Sequence, residues 1–178
     1  DALRAAALEA GPSAASELPA EIDEPAAMSR LEQLAAREGR PDLRALVQTA
    51  AAHSVPWLLD DDTLSLGDGI AGCNFPLATL PQVGDVAWRE LGAIPTALVT
   101  GSNGKTTTVR LIAACARAHG WHAGYSCTDG VFANGEALAT GDYSGPAGAR
   151  RVLRDRRVEA AVLETARGGI LLRGIGVL

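Results

Sequence analysis

Apolar and polar positions between residues 96 and 164 follow a strand, turn, helix, strand rhythm. Thr96 to Thr100 is a short apolar run, and Gly101 to Lys105 is a turn. Thr106 to His119 is a helical stretch with Val109, Ile112, Ala113 and Ala116 on one side, and Gly120 stops it. Trp121 to Ser126 reads as the next strand, and Val131 to Thr140 as a hairpin around Asn134-Gly135. Gly145-Pro146 starts a helix with proline at its first position, and Val158 to Leu163 is a continuous apolar strand ending at Glu164. This alternation predicts an α/β fold in which a parallel sheet is covered by helices and any ligand lies at the carboxyl ends of the strands.

The pattern before residue 94 is different. Ser29 with Glu32 forms a capping-box pair for a helix reaching about Glu38, which Gly39 ends. Asp42 is placed to cap Leu43 to Ala52, where Leu43, Leu46, Val47 and Ala50 define one buried stripe. Val55 to Leu59 and Thr63 to Leu66 predict two short strands joined at Asp60-Asp61-Asp62, and Gly67-Asp68-Gly69 turns the chain again. The three carboxylates read as a solvated turn tip rather than a cation site, because adjacent side chains on a tight turn diverge. Gly72 to Pro95 is loop-like, with Trp88 and Leu91 packing under it. Residues 1–28 read as a short helix at Leu3 to Glu9 followed by an acidic linker. The expected organisation is therefore 1–28 helix and linker, 29–93 a small α+β region, and 94–178 a nucleotide-binding domain.

Composition narrows the chemistry. The chain has 178 residues, 47% of them hydrophobic, and 16 basic against 21 acidic side chains give a formal charge of -5. An acidic balance argues against a general nucleic-acid binder, which relies on surplus cationic charge. No uninterrupted apolar run is long enough to cross a bilayer. Cys73, Cys115 and Cys127 form no C-x-x-C pair, which fits a reducing, cytoplasmic setting. The start at Asp1 and the stop just after a glycine-rich turn read as a fragment of a longer protein. Among the basic residues lysine occurs only at Lys105; the rest are arginine. Such a lysine marks a position that needs a compact ammonium on a thin stem rather than a planar fork.

That lysine lies in Gly101-Ser102-Asn103-Gly104-Lys105-Thr106, between a strand and a helix. In that context a glycine-rich turn offers backbone amides and a positive helix end to phosphate oxygens. Lys105 would reach the β- and γ-phosphates and the Thr106 hydroxyl would sit on Mg²⁺. The strict Walker A spacing fails, because Val99 stands where its first glycine belongs. The alternative is an Asn-Gly turn ahead of an ordinary helix. Glu164, at the end of a buried strand, is the second member of the constellation, placed to hold the metal that bridges terminal phosphates. Gly168 and Gly169 leave room for a second substrate, and Arg167 could neutralise charge developing beside them.

The run Val99-Thr100-Gly101-Ser102-Asn103-Gly104-Lys105-Thr106-Thr107-Thr108 resembles the ATP loop of the Mur ligases. Leu163-Glu164-Thr165-Ala166-Arg167-Gly168-Gly169-Ile170-Leu171 resembles the Mur-like central module of cyanophycin synthetase. Thr128-Asp129-Gly130 and Gly141-Asp142-Tyr143-Ser144-Gly145-Pro146 match further pieces of that module in the same order. The resemblance runs from about Ile94 to Leu178 and implies a P-loop-type domain, an incomplete Mur ligase central domain, with ATP and Mg²⁺ as cofactors. The implied activity is ATP-dependent amide ligation through an acyl phosphate, with ADP released. Residues Gly101, Ser102, Asn103, Gly104, Lys105, Thr106 and Thr107 would cradle ATP, Thr106 and Glu164 would hold metal, and Lys105, Glu164 and Arg167 would serve the chemistry. Asp129, Asp142, Ser144, Gly168 and Gly169 are candidates for the substrate side. The implied partners are a carboxylate-bearing amino acid or peptide and a second, amine substrate; neither nucleic acid nor membrane is expected, and a homo-oligomer is left open. No ATP-grasp module fits between the amino-terminal region and the phosphate loop.

Other signals are weaker. His119 and His122 have no third ligand in view and read as a helix-end cation and a surface residue. Arg150, Arg151, Arg154, Arg156 and Arg157 read as a solvated helix face, since Asp155 and Glu159 interleave. Asp142-Tyr143-Ser144-Gly145 matches a GTPase D-x-x-G, but the N-K-x-D that should accompany it needs a second lysine. A non-catalytic module that binds nucleotide to stabilise a larger assembly is the rival reading.

Overall fold

The computed structural model of the chain describes residues 24–166. The helix expected at Leu3 to Glu9, and Arg167, Gly168 and Gly169, lie outside them. The chain divides into two compact units, residues 1–40 and 41–178. In the first, helix α1 runs from Glu24 to Glu38. It begins five residues before the expected cap, so Ser29 sits inside it. Pro25 falls in the first turn, where a missing amide costs nothing, and Glu24 there complements the helix dipole.

The second unit opens with helix α2, Pro41–Ala52. Here proline is the first helical residue, so Asp42 stands in the first turn rather than before it. The predicted stripe is present: Leu46 and Ala50 are fully buried, with Leu43 and Val47 packed beside them. That stripe meets strands β1 (Trp57–Leu59) and β2 (Thr63–Leu66), which pair antiparallel. A third strand, β3 (Cys73–Pro76), pairs with β2 inside the segment expected to be loop. Two-residue alternation in Cys73-Asn74-Phe75-Pro76 carries it, with Phe75 turned to the core, but a terminal proline and a length of four residues hide the pattern. One short 3₁₀ turn, Gly69–Ala71, precedes β3 and three follow it up to Glu90, and Trp88 and Leu91 pack into the core of this region as expected.

The larger sheet has strand order β4-β8-β5-β6-β7, where β4 is Thr96–Val99, β5 Ala123–Cys127, β6 Gly130–Ala133, β7 Glu136–Thr140 and β8 Ala160–Glu164. The three strands β4, β8 and β5 are parallel. The sheet as a whole is mixed, because the hairpin β6-β7 continues it antiparallel from β5. Asn134 and Gly135 both take positive φ, 48° and 90°, the conformation a two-residue hairpin turn requires. Strand β8 is buried throughout and central to the parallel part, which explains its unbroken apolar run.

Two helices cover opposite faces. Helix α3, Lys105–Ala118, lies on Val162 and Cys127 through Val109 and Ala113, whereas helix α4, Pro146–Arg154, lies on Ala161 and Leu163 through Ala149, Val152 and Leu153. Successive residues of β8 thus serve different helices, as strand geometry dictates. Ile112 departs from the expected stripe: it is 36% exposed, because the buried face of α3 is narrow and follows Val109, Ala113 and Ala116. Among the described residues no helix is long and apolar enough to cross a membrane.

Candidate functional site

The site begins with a register. Strands β4 and β8 pair so that Val99 stands opposite Glu164, and the Thr165 amide extends the pairing with a 2.9 Å hydrogen bond to the Val99 carbonyl. The chain leaving β4 therefore turns over the carboxyl end of β8. Gly101 and Gly104 take φ of 147° and 76°, and the left-handed Gly104 immediately precedes α3. No side chain caps α3, so its first amides are open to an anion. Ser102, Asn103 and Thr107 are exposed, while Lys105 and Thr106 are half-buried.

Lys105, Thr106 and Glu164 come together there. The Thr106 hydroxyl donates a 2.8 Å hydrogen bond to Glu164 Oε2, and Lys105 Nζ lies 4.0 Å from Oε1. Glu164 is 1% exposed, and Oε1 has no hydrogen-bond partner among the described residues. A buried carboxylate oxygen without a donor is costly unless a cation completes its surroundings. Thr128, in the turn after β5, brings its own hydroxyl to 3.0 Å from that of Thr106. Thr128 belongs to the Thr128-Asp129-Gly130 stretch quoted for the family resemblance, which by itself assigned it no role.

Among the described residues no group of three His, Cys, Asp or Glu side chains could hold a metal by itself. The donor set of one carboxylate and two hydroxyls instead suits Mg²⁺, which binds through one or two carboxylates and takes its remaining ligands from water and phosphate. The residues present fit that ion.

The expected substrate-side residues are arranged less tightly. Asp129 is exposed and ion-paired with Arg110 of α3. Asp142 accepts hydrogen bonds from both the amide and the hydroxyl of Ser144, and these hold its carboxyl below the usual carboxylate range. The backbone ties this loop to the site's edge, through Gly141 N to the Asp129 carbonyl and Tyr143 N to the Cys127 carbonyl.

Two other expectations are corrected. Asp60 is not a free turn residue: it pairs with both Arg150 and Arg154 of α4. The arginine cluster is correspondingly bound, with Arg157 on Asp155 and Glu136, and Arg151 over the ring of Tyr143 at 5.1 Å. Folding brings the β1–β2 turn against α4, which sequence spacing cannot reveal. All three cysteines are free.

The Mur ligase middle domain pattern matches residues 99–174. Cyanophycin synthetase of Trichormus variabilis is 51% identical over 88 residues, which cover 49% of this chain and 10% of that protein. Cyanophycin synthetase of a Synechocystis strain is 52% identical over 82 residues, covering 46% of this chain and 9% of the relative. UDP-N-acetylmuramoylalanine–D-glutamate ligase of Yersinia pseudotuberculosis is 31% identical over 102 residues, 51% of this chain and 23% of the ligase. The chain thus spans about a tenth of the length of the cyanophycin synthetases it matches.

Proposed function

We propose that the protein is an ATP-dependent amide ligase, since residues 99–174 match the Mur ligase middle domain and the same region is similar to cyanophycin synthetases. The observation that carries the reading is the buried Oε1 of Glu164, which faces Lys105 beside the Thr106 hydroxyl and has no hydrogen-bond donor among the described residues. In this reading the amides from Gly101 to Thr106 and the positive end of α3 bind the ATP phosphates, and Lys105 neutralises the transferring phosphoryl group. Glu164, Thr106 and Thr128 would hold Mg²⁺, which would supply charge neutralisation at the phosphate oxygens.

The chemistry that follows is positional. A substrate carboxylate oxygen attacks the γ-phosphorus, the bond to the β-phosphate oxygen breaks, and ADP leaves. The nitrogen of an amine then attacks the acyl carbon, phosphate departs and the nitrogen loses a proton. No protein nucleophile is needed, so the contributions of this chain are orientation and electrostatics. Arg167, Gly168 and Gly169, which follow Glu164 within five residues of sequence, are assigned to the acyl phosphate side; Asp129, Asp142 and Ser144 are assigned to the substrate side. The carboxylate and the amine both come from amino acids or peptides.

Single-turnover mixing of the full chain with labelled ATP, Mg²⁺ and amino acids in pairs tests this. Phosphate release matched by amide product in at least one pair is the expected result. Intact ATP in every mixture, with nucleotide nonetheless bound, would instead establish a binding module and overturn the ligase reading.

A further inference from the structure

Strands β5 and β6 pair with Cys127 opposite Gly130, so Thr128 and Asp129 alone make the connection between them. Both are exposed. Backbone bonds from Tyr143 N to the Cys127 carbonyl and from Gly141 N to the Asp129 carbonyl tie this hairpin tip to the Gly141–Tyr143 loop, not to α3. Its side chains reach α3 by two polar contacts. Thr128 meets Thr106 with 3.0 Å between hydroxyl oxygens, and Asp129 accepts a 2.5 Å hydrogen bond from Arg110. Thr106 and Arg110 are four residues apart on α3, one above the other on a single face, so the tip is fastened at two successive turns of the helix.

The hydroxyl hydrogen of Thr106 lies on Glu164 Oε2, so in its contact with Thr128 it is Thr128 that donates. Donation runs one way, from Thr128 to Thr106 to Glu164. It leaves lone pairs on both hydroxyl oxygens for a cation beside the carboxylate. A lone hydrogen bond between exposed hydroxyls competes with water and holds a hairpin tip weakly. The charge-assisted pair one helical turn further along is the stronger fastening.

We propose that Arg110 is a positioning residue: through Asp129 it holds the hairpin tip so that the Thr128 hydroxyl stays on Thr106, beside the cation site at Glu164. The assignment rests on the reading of this site as one for Mg²⁺ and nucleotide, and it gives Asp129 a part on the metal side besides the substrate side. Charge alone predicts the opposite sign. Removing Arg110 takes away a cation and bares Asp129, so a purely electrostatic role would make Mg²⁺ bind more tightly. Lost positioning makes it bind more weakly.

Calorimetric titration of a non-hydrolysable ATP analogue into the full chain, once in saturating Mg²⁺ and once in EDTA, reads the affinity that the metal adds. The wild type should gain affinity with Mg²⁺. In Arg110→Ala that gain should fall about tenfold, the lower end of what a lost outer-shell partner costs a metal site, while affinity in EDTA stays that of the wild type. Arg110→Lys should keep most of the gain. Thr128→Val should reduce it as Arg110→Ala does, and combining the two should take away nothing more, since the arginine acts through that hydroxyl. The side chains of Arg110 and Asp129 are 55% and 46% exposed, so the Arg110 variants should melt as the wild type does. No gain in the wild type would overturn the metal reading and this inference with it. A wild-type gain that Arg110→Ala leaves intact or enlarges, or losses that add in the double variant, would overturn this inference alone.

Discussion

Thr106, at the start of α3, donates its hydroxyl hydrogen to Glu164, at the end of β8, across 58 residues of sequence. The bond engages one carboxylate oxygen and leaves the other buried without a donor. That second oxygen has Lys105 Nζ at 4.0 Å but no hydrogen-bond donor among the described residues, so its charge is only partly offset within the fold. Glu164→Gln should melt at the same temperature as the wild type or higher without ligand, and should lose most of the further stabilisation that Mg²⁺ with ATP confers. If the ligase reading holds, turnover should fall roughly 100-fold or more, the scale of removing a preorganised electrostatic group. Thermal melts with and without Mg²⁺-ATP, beside a turnover assay, check both halves.

Asp68 lies buried in the glycine turn between the small sheet and the large one, and burial raises its carboxyl pKa from 3.8 to about 6. The folded protein thus prefers the protonated form. Its contribution to stability is fully present below about pH 4 and is lost as pH rises through about 6, a change of at most about 3 kcal/mol. Asp68→Asn should stabilise the protein by about 1–3 kcal/mol at pH 7.5 and leave it nearly unchanged at pH 4. Urea unfolding at the two pH values decides the matter; equal effects at both would mean that the charge on Asp68 has no part in stability.

Gly148 sits where α4 crosses β5. A Cβ there would lie 2.1 Å from the Tyr143 carbonyl oxygen and 2.8 Å from Ser126 Cβ. Neither neighbour is the tip of a flexible chain, so Gly148→Ala should destabilise by about 1–3 kcal/mol despite alanine's better helix propensity. A denaturation midpoint equal to the wild type's would show that α4 has room to move away from the sheet.

The parts of this protein legible in its sequence are those with local signatures. The turn between β4 and α3 was visible through Gly101, Gly104 and Lys105, the hairpin through Asn134-Gly135, and α4 through Pro146. Glu164 was visible because an acid terminates an apolar strand. Strand β3 was not, since a four-residue edge strand ending in proline gives too short an alternation to separate from a loop. The Asp60 pairs with Arg150 and Arg154, and the approach of Thr128 to Thr106, depend on tertiary contacts 22 to 94 residues apart, for which a single sequence carries no spacing rule. The two early helix starts share one reason: a proline in the first turn, second in α1 (Pro25) and first in α2 (Pro41), outweighed a polar cap further on.

The central claim is that the turn from Gly101 to Thr106 binds a nucleotide triphosphate through Lys105. Calorimetric titration of a non-hydrolysable ATP analogue with Mg²⁺ into the full chain and into Lys105→Met tests it most directly. Saturable binding by the wild type, weakened at least about tenfold in Lys105→Met, is the predicted result, as expected for loss of one charge-assisted contact. Equal affinity in the two proteins, or no binding by the wild type, would contradict it.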